Sequence, residues 1–158
     1  MDSLLLARQK IADLIAQDQV RDALRYMNGL TSYRFSAVYR FGKDQLSSRV
    51  FYDRERPDML STETIPVEAS YCIYVRNHRG PFLLADSLRD DRVVDHAKRA
   101  EVRSYCGVPL VDDRGWMHGS LCHFDYEPHP LRETDFMLLQ EIAPLLVPQA
   151  AGRIVASA

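Results

Sequence analysis

This sequence of 158 residues lacks the features that mark nucleic-acid-binding, membrane-spanning and secreted proteins. Lys and Arg nearly balance Asp and Glu, the formal net charge is −2, and no block of basic residues forms an arm for a polyanion. No apolar run approaches the roughly 20 residues that cross a bilayer, and the start Met-Asp-Ser lacks the basic segment of a signal peptide. We therefore expect a cytoplasmic protein whose partners include neither nucleic acid nor membrane.

Cysteine is also scarce, and its three positions, Cys72, Cys106 and Cys122, are widely spaced. An odd number without a C-x-x-C pair is not typical of a disulfide framework or of a structural zinc motif, so we expect reduced thiols. No Ser-His-Asp or Cys-His constellation can be assembled from the spacing of the polar residues. The sequence thus predicts neither catalytic residues nor metal ligands, and it leaves any cofactor unknown.

The chain does contain enough apolar sequence for one ordinary core, since 46% of its residues are hydrophobic. We expect a single domain over residues 1–158, with an N-terminal helical region at 1–29, a sheet core and pocket at 30–130, and a C-terminal helix at 131–158. Two apolar stripes in the first region are out of phase, which predicts a break near Gln17–Gln19.

Alternating residues indicate the first strands of a sheet. In YRFSAVYRFG, from Tyr33 to Gly42, aromatic and polar side chains alternate with the period of two that a half-buried strand shows. The segment Gln45–Asp53 is expected to pair with it as an antiparallel hairpin. The loop Glu55–Pro66 is long enough to act as a lid over a cavity, and the short helix predicted next carries Tyr71 and Cys72. Helices at both ends of the chain around these strands predict an α+β layered domain.

A second hairpin, SYCGVPLVDDRGWMHGSLCHFD from Ser104 to Asp125, carries two Cys and two His residues. If the turn Asp112–Gly115 has four residues, Cys106 lies opposite Leu121, and alternate side chains fall on two faces. An apolar core face holds Cys106, Val108, Leu110, Met117, Gly119, Leu121 and His123. An aromatic face suited to a ligand cavity holds Tyr105, Gly107, Pro109, Trp116, His118, Ser120, Cys122 and Phe124. The two Cys and two His side chains, which are the candidate metal ligands, divide between the two faces, so a metal centre is not predicted.

Several short motifs resemble the GAF domain, a small-molecule sensor module related to PAS domains. They are YCIYV around Cys72, FLLAD at 82–86, RDDR at 89–92, VRSYCGVPLVDDRG at 102–115 and GSLCHFD at 119–125. The resemblance extends from about Val20 to the C-terminus. It implies a central antiparallel β-sheet with the N- and C-terminal helices on one face and short helices and loops covering a ligand cavity on the other. It also implies that the terminal helices pair between subunits, but it does not name a ligand.

The residues that define better-characterised GAF subfamilies are not found at the matching positions of this chain. The Asn-Lys-Phe-Asp-Glu signature of cyclic-nucleotide-binding members is absent, and the Cys-His pair of bilin-binding members belongs to a helical region, whereas here it lies on a predicted strand. Free methionine sulfoxide reductases are similar to this chain, but their catalytic Cys aligns near Lys98, where this chain has no thiol. Their acidic pocket residues align with Tyr105, Cys122 and Phe124, none of which is acidic. Cys72 alone matches a cysteine of that enzyme.

These observations lead to one main hypothesis and two alternatives. We expect a stand-alone sensor or regulatory domain in signal transduction, which binds an unknown small molecule, forms a homodimer through its terminal helices and acts on a downstream signalling protein rather than by catalysis. One alternative is a thiol-based redox enzyme related to free methionine sulfoxide reductase, using Cys72 with another cysteine. The other is a dimerisation module with a collapsed pocket. The candidate ligand-binding residues are Tyr52, Tyr71, Cys72, Asp86, Arg92, Tyr105, Cys122 and Phe124.

Overall fold

The computed structural model describes residues 2–152, which form a six-stranded antiparallel sheet with four helices. The helices are α1 (Ser3–Ala16), α2 (Val20–Gly29), α3 (Cys72–His78) and α4 (Glu133–Ala151). The strands are β1 (Phe35–Phe41), β2 (Gln45–Asp53), β3 (Ile65–Pro66), β4 (Phe82–Leu84), β5 (Ser104–Val111) and β6 (Met117–Asp125). This is the predicted α+β fold. The last part of the predicted C-terminal helix, 153–158, lies outside the described residues.

The terminal helices pack on one face of the sheet and on one another. α4 lies against β5 and β6, α1 packs on α2 and α4, and α2 packs on β1 and β2. The predicted break is confirmed at Gln17–Gln19, where Asp18 adopts a left-handed φ of 61°. This turn brings the two out-of-phase apolar stripes to the same core. None of the helices within residues 2–152 has both the length and the hydropathy to span a membrane.

The strands follow the order β3-β2-β1-β6-β5-β4, so the two hairpins meet where β1 pairs with β6. The first hairpin contains a bulge. Its pairing shifts between Val38 and Tyr39 of β1, which leaves Arg49 of β2 as an extra residue. The extra residue reverses the facing of the side chains that follow it. The Arg49 guanidinium donates to the Gly152 carbonyl, which directly follows α4, at 2.9 Å.

In the second hairpin the predicted faces are confirmed for residues 105–110 and 119–124, but the predicted partners are wrong. Cys106 pairs with His123 rather than with Leu121, and Leu121 pairs with Val108. The register also shifts just after Leu110, next to the turn. From Cys106 to Leu110 the displacement from the predicted register is two residues, and an even displacement leaves each of these side chains on its predicted face. Next to the turn the displacement is one residue, because Met117 pairs with Val111, and this places Met117 on the face opposite to the predicted one.

Each face of the sheet has its own hydrophobic cluster. On one face, aliphatic side chains that include Val38, Val108 and Leu121 pack against α1, α2 and α4. On the other, aromatic rings and the Cys122 thiol are covered by the connecting segments and by α3, which contributes the Cys72 thiol. We call the first the helix face and the second the cavity face.

Candidate functional site

A cavity of ≈ 590 Å³ lies between the cavity face and the loop 54–64 that joins β2 to β3, which we call the lid loop. Its volume falls within the range of about 300–1,000 Å³ that small-molecule sites occupy. The lid loop contributes Met59, Ser61, Thr62 and Glu63 to the lining. The segment predicted to be a lid therefore does border a cavity. Seven aromatic rings form much of the rest of the lining, those of Phe35, Tyr39, Phe51, Tyr71, Tyr105, Phe124 and Tyr126.

Phenylalanine rings from β1, β2 and β6 form one wall of the cavity. Phe35 pairs with Phe124 across the two strands, and their rings stack with centroids 4.7 Å apart. The rings of Phe51 and Tyr126 lie 5.9 and 5.1 Å from that of Phe35. Stacked and edge-to-face pairs hold a defined geometry, so these contacts order the wall in the absence of a ligand.

Tyr105 forms the floor of the cavity, and Gly107 makes its position possible. A Cβ atom on Gly107 would lie 2.6 Å from the Tyr105 ring, so the ring occupies the space that a side chain would need. The Tyr105 hydroxyl lies 3.1 Å from the Cys72 Sγ. Tyr71 meets the Tyr105 ring edge-on, with 5.9 Å between centroids, and donates its hydroxyl to the Val102 carbonyl at 2.8 Å. The floor is therefore held by hydrogen bonds as well as by packing.

Behind the floor lies a buried pair of thiols, Cys72 and Cys122. The Cys72 Sγ is 3.2 Å from the Ser120 Oγ in addition to its contact with Tyr105. Burial raises the pKa of the Cys72 thiol, but several hydrogen bonds, the largest from Cys122, outweigh it and lower this pKa to about 7. Burial and the hydrogen bond to Cys72 raise the pKa of Cys122. The pKa values of these two thiols therefore shift in opposite directions.

The charged side chains that line the cavity are Glu63, Lys98 and Glu101, and they lie towards solvent. The Lys98 Nζ is 3.1 Å from the Glu101 Oε2, so these two form a salt bridge. Lys98 is the position near which the resemblance to free methionine sulfoxide reductases places the catalytic Cys, and it does border the cavity. The site thus combines an aromatic interior with a charged mouth.

Of the eight predicted ligand-binding residues, Tyr71, Tyr105 and Phe124 line the cavity. Cys72 and Cys122 are fully buried behind Tyr105 and support the floor without reaching the cavity surface. The structure therefore brings these five residues together. Their contact with a ligand stays a prediction.

Tyr52 lies on the other side of the sheet. Because the bulge at Arg49 reverses the facing of β2, Phe51 points into the cavity instead of Tyr52. Tyr52 packs with the helix-face cluster, and the Arg21 guanidinium of α2 lies over its ring, 5.6 Å from the centroid. The prediction that Tyr52 joins the site from the second strand is wrong for this reason.

Asp86 and Arg92 also lie outside the cavity lining, and each stabilises the segment around it. The Asp86 carboxylate caps a 3-10 turn and accepts a hydrogen bond from the Arg103 guanidinium at 2.7 Å, which holds the pKa of Asp86 below its usual value. Arg92 forms a salt bridge with Asp90 at 2.6 Å. The prediction that both approach the cavity is wrong, because these pairings direct their side chains elsewhere.

Several residues of the cavity wall are not among the predicted ligand-binding residues. The alternation in β1 places Phe35 and Tyr39 on one face, but it does not show which side of the sheet that face meets. The alternation of residues in β2 does not place Phe51 on the cavity face, because the bulge changes the facing of the strand. Lys98 and Glu101 lie in a connecting segment, where no periodic pattern identifies them.

The two Cys and two His side chains of the second hairpin do not meet at a single site. His123 lies on the helix face with its Nδ1 2.6 Å from the Ser36 Oγ, and burial lowers the pKa of His123 to about 3. His118 lies next to the turn and pairs with Asp112 at 2.7 Å. Within residues 2–152, no group of three or more His, Cys, Asp or Glu side chains is arranged to hold a metal ion.

Known proteins resemble this chain in sequence and in structure. A stretch of 92 residues is 35% identical to a cyclic di-GMP phosphodiesterase of Pseudomonas aeruginosa, spanning 56% of this chain and 16% of that protein. The GAF domain of an Acinetobacter phosphoenolpyruvate-protein phosphotransferase superposes with a TM-score of 0.75 at 14% identity, covering 98% of this chain and 99% of that one. A free methionine-R-sulfoxide reductase from Neisseria meningitidis superposes with a TM-score of 0.72 at 20% identity, covering 96% and 92%.

At these identities the structural matches establish the fold alone. The phosphodiesterase is much longer than this chain, which covers 16% of its length. The sequence model of the GAF domain matches residues 15–147, which is most of the chain. The chain therefore belongs to the GAF domain family, whose members serve as sensor modules in signalling.

Proposed function

We propose that this GAF domain binds a small molecule in the aromatic cavity and transmits the occupancy of that cavity to its terminal helices, which pair between two copies of the chain. The cavity itself carries the proposal, because a space of ≈ 590 Å³ with ordered aromatic walls is what a small-molecule site requires. The output is a contact with a downstream signalling protein. Its location in the cytoplasm stays a prediction from the sequence.

Two arginines connect the lid loop to α2 and so provide a route from the cavity to the helices. Arg21 of α2 donates to the Pro57 carbonyl of the lid loop at 2.6 Å, and it also donates to the carbonyl of Phe51, a lining residue. Arg54, at the start of the lid loop, donates to the Asn28 carbonyl near the end of α2 at 2.7 Å. A ligand that displaces the lid loop would therefore also displace α2.

The terminal helices expose apolar side chains that a second copy would cover. Leu5 and Leu6 of α1 are 48% and 52% exposed, and Met137 and Leu145 of α4 are each 37% exposed. α1 and α4 pack side by side. Apolar side chains exposed on neighbouring helices support the pairing of these helices between two copies.

We propose binding without catalysis, because the thiols lie behind Tyr105 and do not reach the cavity surface. One observation favours a second candidate, a thiol redox function. The Cys72 and Cys122 thiols lie in one buried cluster, so an oxidant could join the two sulfur atoms in a disulfide as both thiols lose their hydrogen.

Native mass spectrometry of the purified protein tests these candidates together. We expect a dimer that takes up a small molecule from a metabolite library while all three thiols stay reduced. A strictly monomeric protein at micromolar concentration would contradict the helix pairing, and failure to take up any compound would contradict ligand binding. A reversible loss of two hydrogen atoms that disappears in the Cys72→Ser variant would support the redox function instead.

A pair of leucine variants with matched exposure tests the helix pairing. Leu6→Glu places a charge on α1, and Leu88→Glu places the same charge on a leucine that is 49% exposed outside the terminal helices. We expect Leu6→Glu to weaken the dimer by about tenfold or more in Kd, measured by sedimentation velocity, because the charge must be buried in the interface. Leu88→Glu should leave the dimer unchanged. Equal weakening by both variants would show that the terminal helices do not form the interface.

A further inference from the structure

The charges around the cavity restrict the kind of molecule it accepts. The lining contains one ammonium group, Lys98, against two carboxylates, Glu63 and Glu101. Lys98 is already paired with Glu101 at 3.1 Å. Among the described residues, an anionic ligand would therefore meet a lining with a net charge of −1 whose single cation already has a partner.

Arginines close to the lining residues in the chain are directed to other partners. Arg103 binds the Asp86 carboxylate at 2.7 Å, and Arg99 donates to the backbone carbonyls of Ser87 and Leu88. Neither arginine lines the cavity. A phosphate or carboxylate group in the cavity would thus lose its hydration without gaining a guanidinium partner.

The tyrosine hydroxyl groups at the floor of the cavity also have hydrogen-bond partners within the protein. Tyr71 donates to the Val102 carbonyl, and the Tyr105 hydroxyl is hydrogen-bonded to Cys72. These tyrosines therefore present their rings to a ligand rather than a free polar group. Aromatic rings attract other rings through stacked and edge-on contacts, and their electron-rich faces attract positive charge.

We propose that the cavity binds an aromatic small molecule without negative charge, neutral or cationic, and that it rejects anions. This inference rests on the proposed function, since it names the ligand class of the same cavity. Burial of a planar ring against Phe35, Phe124 and Tyr105 supplies the affinity. Glu63 and Glu101 discriminate against anions. The same charge pattern excludes nucleotides, whose phosphate groups are anionic.

Three naphthalene compounds with the same rings and different charges test the inference. They are naphthalenemethanol, which is neutral, naphthylmethylamine, which is a cation at neutral pH, and naphthoate, which is an anion. Calorimetric titration of the full chain at low salt should show that the first two bind at least about tenfold more tightly than naphthoate. Naphthoate binding as tightly as the others would overturn this inference and leave the proposed function intact. If none of the three binds, the aromatic ligand class is overturned, and the metabolite library then decides whether the proposed function stands.

Removal of the lining carboxylates tests the origin of the selectivity. In the double variant Glu63→Gln/Glu101→Gln, Lys98 loses its partner, and naphthoate should bind about tenfold more tightly than it binds the unchanged protein. Any gain for naphthalenemethanol should be much smaller, because this compound carries no charge for the carboxylates to repel. Glu68→Gln is the matched control, because Glu68 is exposed nearby but does not line the cavity. No gain in the double variant, or an equal gain in the control, would show that the lining carboxylates do not select the ligand.

Discussion

The two faces of the sheet are built from alternate residues of the same strands, yet one is a core and the other borders a cavity. On β6, Leu121 lies on the helix face, whereas Cys122 and Phe124 lie on the cavity face. The helix face consists mainly of aliphatic side chains covered by α1, α2 and α4. The cavity face consists mainly of aromatic rings that contact one another around a space of ≈ 590 Å³.

The difference between the faces follows from the shapes of their side chains. Branched aliphatic groups interdigitate and fill the volume between a sheet and its helices at close-packed density. Flat rings in stacked and edge-on contact form stiff walls, and the hydrogen bonds between Tyr71 and Val102 and between Tyr105 and Cys72 prevent the two tyrosine rings from turning into the open space. One sheet can therefore stabilise the domain on one side and hold a binding site on the other.

The largest expected difference comes from truncating one side chain on each face. Leu121→Ala should lower the free energy of unfolding by about 2–5 kcal/mol, because Leu121 is fully buried and its loss opens a closed void. Phe124→Ala should cost about 1–2 kcal/mol, because its ring is partly exposed and its loss widens an existing cavity. Urea unfolding measures both changes. Equal losses would show that the two faces are packed equally tightly.

The floor of the cavity face should be sensitive to a single methyl group. Gly107→Ala should lower the free energy of unfolding by about 1–3 kcal/mol, because the new Cβ would lie 2.6 Å from the buried Tyr105 ring. Gly29→Ala is the control, since nothing lies within 4 Å of a Cβ at this helical position, and its stability should be unchanged or slightly raised. If urea unfolding shows the same stability for both variants, Tyr105 is not held against the sheet.

The helix face should exclude charge, which gives it a pH dependence. Burial lowers the pKa of His123 to about 3, whereas an unfolded histidine titrates near about 6.5. Between these values the unfolded chain binds a proton that the folded chain does not, so stability falls as the pH decreases from about 6.5 towards 3. His123→Gln should remove this contribution, up to about 1.4 kcal/mol per pH unit.

Urea unfolding at steps from about pH 7 to about pH 4 measures this slope. The exposed His78 provides the control, because His78→Gln should leave the slope of the unchanged protein intact. Parallel stability curves for the unchanged protein and His123→Gln would show that the helix face tolerates a charged imidazole.

Alternation in β5 and β6 predicts which side chains share a face, because the period of two belongs to each strand alone. It does not predict the register, since the pairing shift after Leu110 arises next to the turn. It also fails for Tyr52, because the bulge at Arg49 exists only in the pairing with β1. Asp86 was misplaced for a similar reason, since its partner Arg103 lies 17 residues further along the chain.

Local patterns in the chain were enough to predict the α+β class, the break between the first two helices and the two faces of the second hairpin, because periodicity and turn residues act over a few positions. Folding in three dimensions was needed to place Phe51 rather than Tyr52 in the site, to set Tyr105 in front of the thiols and to bring Glu63 to the same cavity as Lys98. The physical reason is that a cavity is formed by side chains from distant segments, whose meeting depends on bulges, registers and ion pairs between them.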